Sequence, residues 1–582
     1  MEDKVLYDRI KACWMGKNIG GTLGGPVEGK MEKLSLIDLP DLSGKGALPN
    51  DDLDLQLLNL HIVEQRGFHI NVSDFASEWE EHIYFPFDEY GYALTNMRNG
   101  MVPPLSSYFN NPFTDCMGSP IRSELWACIA PGNPEAAAYY AYQDAMVDHA
   151  GGEGVAGEIF LAALESLAFV ESDILTLVDK AAAFAPSGSQ TISAIYDTIN
   201  WYKNGVSYDE VRENILKKYG KSNFTDAPQN MAFVTVGLLY GNGFEDAMLK
   251  TVNLGYDTDC TAATLGSIFG IIYGTAGLPE KWTKAVGDNI KISYQVRGFD
   301  YPKTITELTE RTISLKHKFD LETNMDFHYH VDGDLNAQIY YLPYGNKFDD
   351  ALAVEVLAEN GPLCIQGEDK TVLIRITNHT EGSWDFSVSV SSGNNNSKSE
   401  RYFLNSQESV SWRCHLKTKA NQSSVCNYDI NITRFYDGIA WKNYVIPMAL
   451  PVSSKWKVNN EIVNCVDGYV ELNGAGNHKL QSKLFVPDDR KVKLMFASSE
   501  PVKVYLDGSE VIVSDSKTPY MPAYHRGPRT LRYTADLSCG DHDITIEVNS
   551  SSDQCDIMVM PTTVDFEKEY SSIYMTDCIF HI

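Results

Sequence analysis

Up to about Ile313 the apolar residues of this chain recur at helical spacing, and beyond about Phe327 they alternate with polar ones. A chain written in two periods has to build a helical body and a β body, because the first pattern buries a stripe and the second buries every other side chain. Pro134 to Ala145 and Gly157 to Val170 show the helical pattern, rich in Ala, Leu and Glu and bounded by Gly, Pro and Asn. Such stretches predict an all-α domain of many short helices over residues 1–325. Thr371-Val-Leu-Ile-Arg-Ile-Thr377 and Phe386-Ser-Val-Ser-Val390 show the alternating pattern and predict strands with one buried face. A chain of 582 residues is too long for a single core, so several domains are expected.

The β half divides again. Pro451 to Lys457 reads as a linker and Asn394 to Asn396 as a turn. Beyond them Val502-Lys-Val-Tyr-Leu-Asp507-Gly508 is a strand running into an Asp-Gly turn, and Asp543 to Val548 alternates once more. The expectation is two β-sandwich domains, an immunoglobulin-like one at 326–455 and a jelly-roll-like one at 456–582. No internal repeat of roughly 20 to 50 residues is found, which disfavours a solenoid or propeller.

Ala262 to Gly277 is apolar but short of the ~20 residues that cross a bilayer. It reads as a buried helix. Gly266, Gly270 and Gly274 fall four apart on one face, where missing side chains let a second helix approach closely.

The net charge of −30 repels phosphate backbones and anionic lipid, so nucleic acid and membrane are unlikely partners. An acidic surface keeps a protein soluble, and part of the imbalance can also serve a cation. The eleven cysteines lack CxxC pairs and even spacing, which reads as reduced thiols. Charged residues from Glu2 to Lys11 leave no apolar export segment, and the expected location is cytoplasmic.

Two acidic segments stand out. In Pro49-Asn50-Asp51-Asp52-Leu53-Asp54, three carboxylates fall within four positions ahead of an apolar run, a crowding that repels itself unless positive charge is near. Helix capping by Asn50 or Asp51 is the ordinary explanation. In Gly255-Tyr256-Asp257-Thr258-Asp259-Cys260, an Asp-x-Asp feeds directly into the buried helix and supplies hard oxygen donors suited to Mg²⁺ or Ca²⁺. A third segment, Gly16 to Glu28, has glycines at 16, 20, 21, 24 and 25 followed by Pro26-Val27-Glu28. Without a Lys-Ser/Thr pair or a preceding strand it is no phosphate loop, and it reads as a tightly packed helix and turn.

These three segments, in this order, resemble the ADP-ribosylglycohydrolase family, over Lys11 to Trp282. Pro26-Val27-Glu28 is similar to that family's Pro-x-Glu, Asn50-Asp51-Asp52 to its Thr-Asp-Asp, and Gly255 to Cys260 to its Gly-x-Asp-x-Asp-Thr. Gly118-Ser-Pro-Ile-Arg122, Asp148-His149 and Gly274 to Trp282 are further matches. The resemblance implies an all-α fold with Mg²⁺ at the bottom of a cleft. Asn50, Asp51, Asp52, Asp257 and Asp259 would be metal ligands, Glu28, Asp52 and Asp259 catalytic groups, and Arg122 and His149 substrate-binding residues. Asn50 and Cys260 replace the family's threonines, and cysteine sulfur suits hard cations poorly. One ion in place of two, or Ca²⁺ or Mn²⁺, is therefore compatible. Gly21 stands where many members have an acid, which points to a different substrate.

Three functions follow. The first is a metal-dependent hydrolase cleaving the anomeric bond of an ADP-ribosyl or related ribofuranosyl substrate. The second is an O-glycoside hydrolase acting on a furanoside or oligosaccharide, which appended sandwiches favour by analogy. The third is a catalytically silent carbohydrate- or nucleotide-binding protein, against which four retained aspartates speak. Tyr505, Tyr520 and Tyr524 offer rings for sugar stacking, and the loop Pro519 to Arg526 is a candidate substrate contact. The sandwiches equally suit a scaffold or a homo-oligomer surface.

Overall fold

The computed structural model describes all residues except 1, 43, 323–324, 330–340, 345–351, 359, 393–394, 419–422, 466–467, 524–525 and 565–572. It forms two units. One contains Met1–Tyr84 and Phe113–Leu335, the other Phe85–Pro112 and Asn336–Ile582.

The first unit is helical, as its periodicity requires. Its centre is a pair of antiparallel helices, Asp3–Gly24 and Thr258–Tyr273. Both are buried nearly all round in their touching halves, so neither shows a strong polar face. Their backbones touch because of glycine. A Cβ added at Gly16 would lie 2.1 Å from the Gly266 carbonyl oxygen, one at Gly20 2.3 Å from the Ala262 backbone, and one at Gly24 2.2 Å from the Thr258 carbonyl oxygen. Gly266 and Gly270 reciprocate, at 2.3 Å from the Gly16 carbonyl oxygen and 2.2 Å from that of Ala12. Gly274, expected on the same face, instead ends the helix with a φ of 66°, a left-handed conformation that glycine adopts without strain. The helix expected from Pro134 to Ala145 occupies Pro134–Ala145, and that expected at Gly157 to Val170 is Glu153–Ala168.

The second unit is built of antiparallel sheets. Within residues 341–451, one sheet carries Leu352–Ala358, Asp369–Asn378 and Ser409–Lys417, and another carries Trp384–Ser392, Val425–Tyr436 and Ile439–Pro451. Val356, Ile374 and Cys414 from the first and Phe386, Ile430 and Met448 from the second share one apolar core, so the two sheets pack face to face. Within residues 454–581 two further sheets share a second core around Trp456, Leu484, Leu494 and Ile546. The Asp-Gly turn forms between paired strands, Val502–Leu506 and Ser509–Ser514, with φ of 49° at Asp507 and 79° at Gly508, the signs a tight hairpin turn needs.

Two local expectations are corrected. Pro451 to Lys457 is no linker: Ile439–Pro451 and Ser454–Val458 are strands, and Trp456 is buried in the second core. Short polar residues around an indole resemble a loop in sequence, yet alternation within a five-residue strand suffices to bury it. Asn395–Asn396 pair as a strand with Ser391 and Ser392, while Asn394 lies outside the described residues. Phe85–Pro112 falls inside the stretch 1–325 in sequence but packs with the β unit. Met101, Leu105 and Phe109 enter the first sandwich core, and the Asn96 amide donates to the carbonyls of Ser106 and Phe109, both at 2.6 Å.

Candidate functional site

Backbone contact between the two central helices sets the end of one beside the start of the other. The turn Gly25–Val27 carries the chain from the first helix to Glu28. Thr258 Oγ1 donates to the Gly24 carbonyl at 2.9 Å. Gly29 N donates to the Tyr256 carbonyl at 3.0 Å and Tyr256 N to that of Lys30 at 2.8 Å. This short ladder holds Glu28 against Asp257 and Asp259, the three offering carboxylate oxygens within 4.8 Å of one another.

The second acidic segment enters as a helix start. Asn50 is the N-cap of Asp51–Arg66 and accepts from Asp52 N at 2.7 Å, while its Nδ2 donates to Asp259 Oδ2 at 3.1 Å. Asp52, Asp259 and Cys260 form a second donor group within 4.8 Å. A Cβ at Gly21 would lie 2.8 Å from Asn50 Nδ2, so glycine there leaves the space in which Asn50 reaches across. The structure thus brings Glu28, Asn50, Asp52, Asp257 and Asp259 to one place. Asp51, on the first turn, is half-buried and outside both groups. The capping and functional readings of Asn50 merge here: its carbonyl oxygen accepts from the helix start and its amide donates to Asp259.

Burial makes this arrangement costly on its own. Asp52 and Asp257 are each 1% exposed; neither Asp52 oxygen receives a protein hydrogen bond, and Asp257 is met by the weakly donating Cys260 thiol. Two like charges within 4.8 Å of each other, as Asp52 and Asp259 are, repel by at least about 3.5 kcal/mol at an effective dielectric constant of ~20. Burial pushes the Asp52 and Asp257 carboxyls well above the usual range, and Asp259 raises both further. Lys17 opposes this at Asp52, its Nζ 3.7 Å from Oδ1. Orphaned oxygens on converging acids fit a hard divalent cation in donor type and in charge.

Lys17, Gln56 and Glu124 belong to the same assembly and were not singled out from sequence. Lys17 is fully buried and donates to Glu124 at 2.7 Å and to the Ile121 carbonyl at 2.9 Å. Burial opposes its charge, but Glu124 and Asp52 outweigh it and hold its pKa up at about 12. Gln56 donates to the same carbonyl at 3.0 Å and to Glu124, and its own oxygen accepts from Leu125 N at 3.0 Å. The available signal was a lone lysine among the glycines of a helix with no polar face.

Arg122 and His149 are placed differently from the expectation that they line a cleft. Arg122 is 0% exposed. Its guanidinium donates to the Gly118 and Asp144 carbonyls at 3.0 and 3.2 Å and to both Asp148 oxygens at 2.8 Å, with Nε 3.1 Å from Asp144 Oδ1. A buried guanidinium whose four terminal N–H groups all donate to protein acceptors is held by the protein itself. His149 is also fully buried, with Nδ1 2.9 Å from Asp148 Oδ1. Asp54, the third acid of its cluster, turns away, its Oδ2 accepting from Ser293 N at 3.0 Å, and burial pushes its pKa up to about 8.

In the β unit, Tyr505 and Tyr520 are half-buried, and Tyr524 lies outside the described residues. Arg526 pairs with Asp88. All eleven cysteines are unbridged, and among the described residues no helix is long and apolar enough to cross a membrane.

A family model described as ADP-ribosylglycohydrolase matches residues 2–320. An uncharacterized protein of Archaeoglobus fulgidus is 25% identical over 304 residues, 49% of this chain and 93% of that protein. "ADP-ribosylarginine hydrolase Tri1" of Pseudomonas putida is 44% identical over 45 residues, which span 8% of this chain and only 12% of the relative. A solved structure of an "ADP-ribosylglycohydrolase-related protein complex" aligns with 54% of this chain and 99% of its own, at 20% identity and a TM-score of 0.38.

Proposed function

Because the chain belongs to the ADP-ribosylglycohydrolase family, we propose that it hydrolyses the anomeric bond of an ADP-ribosyl or related ribofuranosyl substrate at the acidic centre, with one or two divalent ions held there. The observation that carries this reading is the joint burial of Asp52, Asp257 and Asp259, with no hydrogen-bond donor to either Asp52 oxygen. Asp52, Asp257 and Asp259 would hold the ion, with Asp51 at the rim. Mg²⁺ is the first choice for an all-oxygen set, and Mn²⁺ or Ca²⁺ suit the same donors. A bound ion supplies Lewis-acid charge.

The chain's own groups do the rest. Cleavage passes through an oxocarbenium-like state that anions stabilise, while water adds to the anomeric carbon as the bond to the leaving group breaks. Glu28 is the exposed member of the set, so a carboxylate oxygen there can meet substrate and take the proton of the attacking water. Lys17 presses positive charge on Asp52 from the buried side, opposing the upward push of burial on its carboxyl. Arg122 and His149 act as positioning residues through Asp144 and Asp148.

The Tri1 relatives are named for ADP-ribosylarginine, which makes the N-glycosidic bond to a guanidinium the first linkage to try. Purified chain with Mg²⁺ and an ADP-ribosylarginine peptide, or an ADP-ribosyl derivative carrying another leaving group, is expected to release ADP-ribose, and chelator is expected to stop it. Hydrolysis of nitrophenyl furanosides without release from any ADP-ribosyl compound would move the assignment to O-glycosides. No turnover with any of these and any of the three ions would refute it.

A further inference from the structure

Away from the acidic centre, the helical unit gathers two imidazoles and a carboxylate. His61 lies on Asp51–Arg66, and Glu78 and His82 lie four apart on Val72–His82. Their side chains are 14%, 10% and 5% exposed, and each offers one donor atom within 4.8 Å of the others. We propose that His61 Nε2, His82 Nε2 and Glu78 Oε2 form a second metal site, selective for zinc-class transition metals.

The argument starts from one hydrogen bond. His82 Nδ1 lies 3.0 Å from the Arg297 carbonyl oxygen. A carbonyl only accepts, so Nδ1 carries the proton, and in the neutral ring Nε2 presents its lone pair. That lone pair faces Glu78 Oε2 at 3.3 Å, and His61 Nε2 is 3.7 Å from the same oxygen. Two ring nitrogens and a carboxylate oxygen thus converge on one point, which suits a proton or a cation.

The distances suit the cation. Zn–N near 2.1 Å and Zn–O near 2.0 Å at a tetrahedral angle put the two donor atoms about 3.3 Å apart, the separation found between His82 and Glu78. His61 Nε2, at 3.7 Å from the same Glu78 oxygen, has to move inward. The outer contacts are those that fix metal ligands. Arg297 holds the His82 tautomer, Arg66 Nε donates to Glu78 Oε1 at 2.8 Å, and Phe299 packs against both imidazoles at 4.9 and 5.2 Å between ring centroids. Burial lowers the His61 pKa, which favours the neutral, ligating form.

The site is separate from the acidic centre. His61 follows Asp52 by nine residues on the same helix, about 13.5 Å along its axis. Two imidazoles and one carboxylate favour zinc over magnesium, whereas the acidic centre offers chiefly carboxylates. A metal here would tie the helix that carries Asp51 and Asp52 to the helix beside it.

The test is zinc retained after dialysis in excess Mg²⁺, measured by elemental analysis. Wild type and Asp259→Asn are expected to keep one equivalent that His61→Gln and His82→Gln lose, with affinity falling at least ~10-fold. Wild-type protein loaded with Co²⁺ provides a check that needs no variant: intense visible bands of a tetrahedral, nitrogen-ligated ion are expected. Equal zinc in wild type and both histidine variants, no retained zinc, or a cobalt spectrum of six oxygen ligands would overturn the proposal, whatever the fate of the hydrolase reading.

Discussion

Asp52 and Asp257 are ionisable groups that the fold buries, Asp52 with no hydrogen-bond donor to either oxygen, and such groups persist only where something else compensates. Asp52→Asn and Asp259→Asn are expected to cut turnover at least ~100-fold, about 2.7 kcal/mol of transition-state stabilisation. Melting of the metal-free protein should stay level or rise, because the crowding of acids is relieved. Turnover and melting measured on the same preparations check both halves. A second residue-level expectation concerns Glu500, whose side chain is 1% exposed and accepts from Lys517 at 2.9 Å and Ser552 at 2.7 Å. Hydrogen bonds from Lys517 and Ser552 hold its pKa down at about 2. A folded pKa below the unfolded one, about 4.3, means that its contribution is complete above that value and is lost as pH falls toward 2. The melting-temperature gap between wild type and Glu500→Gln should therefore be widest near pH 6 and close by about pH 2. The acids of the centre were legible because carboxylate crowding is conspicuous in sequence. Lys17, Gln56 and Glu124 were not, since each stands alone in a helical pattern and only the folded chain shows that they share the Ile121 carbonyl and one another.

Helices in backbone contact leave no room for a methyl group. Gly20→Ala and Gly24→Ala are each expected to destabilise by about 3 kcal/mol and to lower activity with stability, because Glu28 and Asp259 are carried on the two elements forced apart. Gly25→Ala is the matched control: its φ is −50° and a Cβ there meets nothing within 4 Å, so its melting temperature should stay within a degree or two. Denaturant melts of the three variants decide the matter, and equal stability in all would contradict the packing account. The glycine spacing in both helices was readable from sequence because a period of four marks one helical face. The exit of Gly274 from that face was not, since a capping glycine and a packing glycine look alike until φ is known. Strand alternation located Asp369–Asn378, Trp384–Ser392, Val502–Leu506 and Gly540–Ser550, and it failed at Pro451 to Lys457, where the run is too short to show a period.

Across the whole molecule, the change of pattern near residue 327 separates helical from β structure correctly, and what it conceals is Phe85–Pro112, a helical segment whose apolar residues complete a sandwich core. Helical periodicity says that a face is buried and not against what, so tertiary partnership of this kind lies beyond single-sequence reading. The net charge of −30 likewise hides its most consequential part, since the carboxylates that matter are buried and few. Whether they gather a cation is best measured by calorimetric titration of Mg²⁺ into wild type, Asp52→Asn and Asp259→Asn. Saturable binding of one or two ions in wild type, weakened at least ~100-fold in both variants, is the expected result, a change of about 2.7 kcal/mol. Indistinguishable heats for all three proteins would contradict the account.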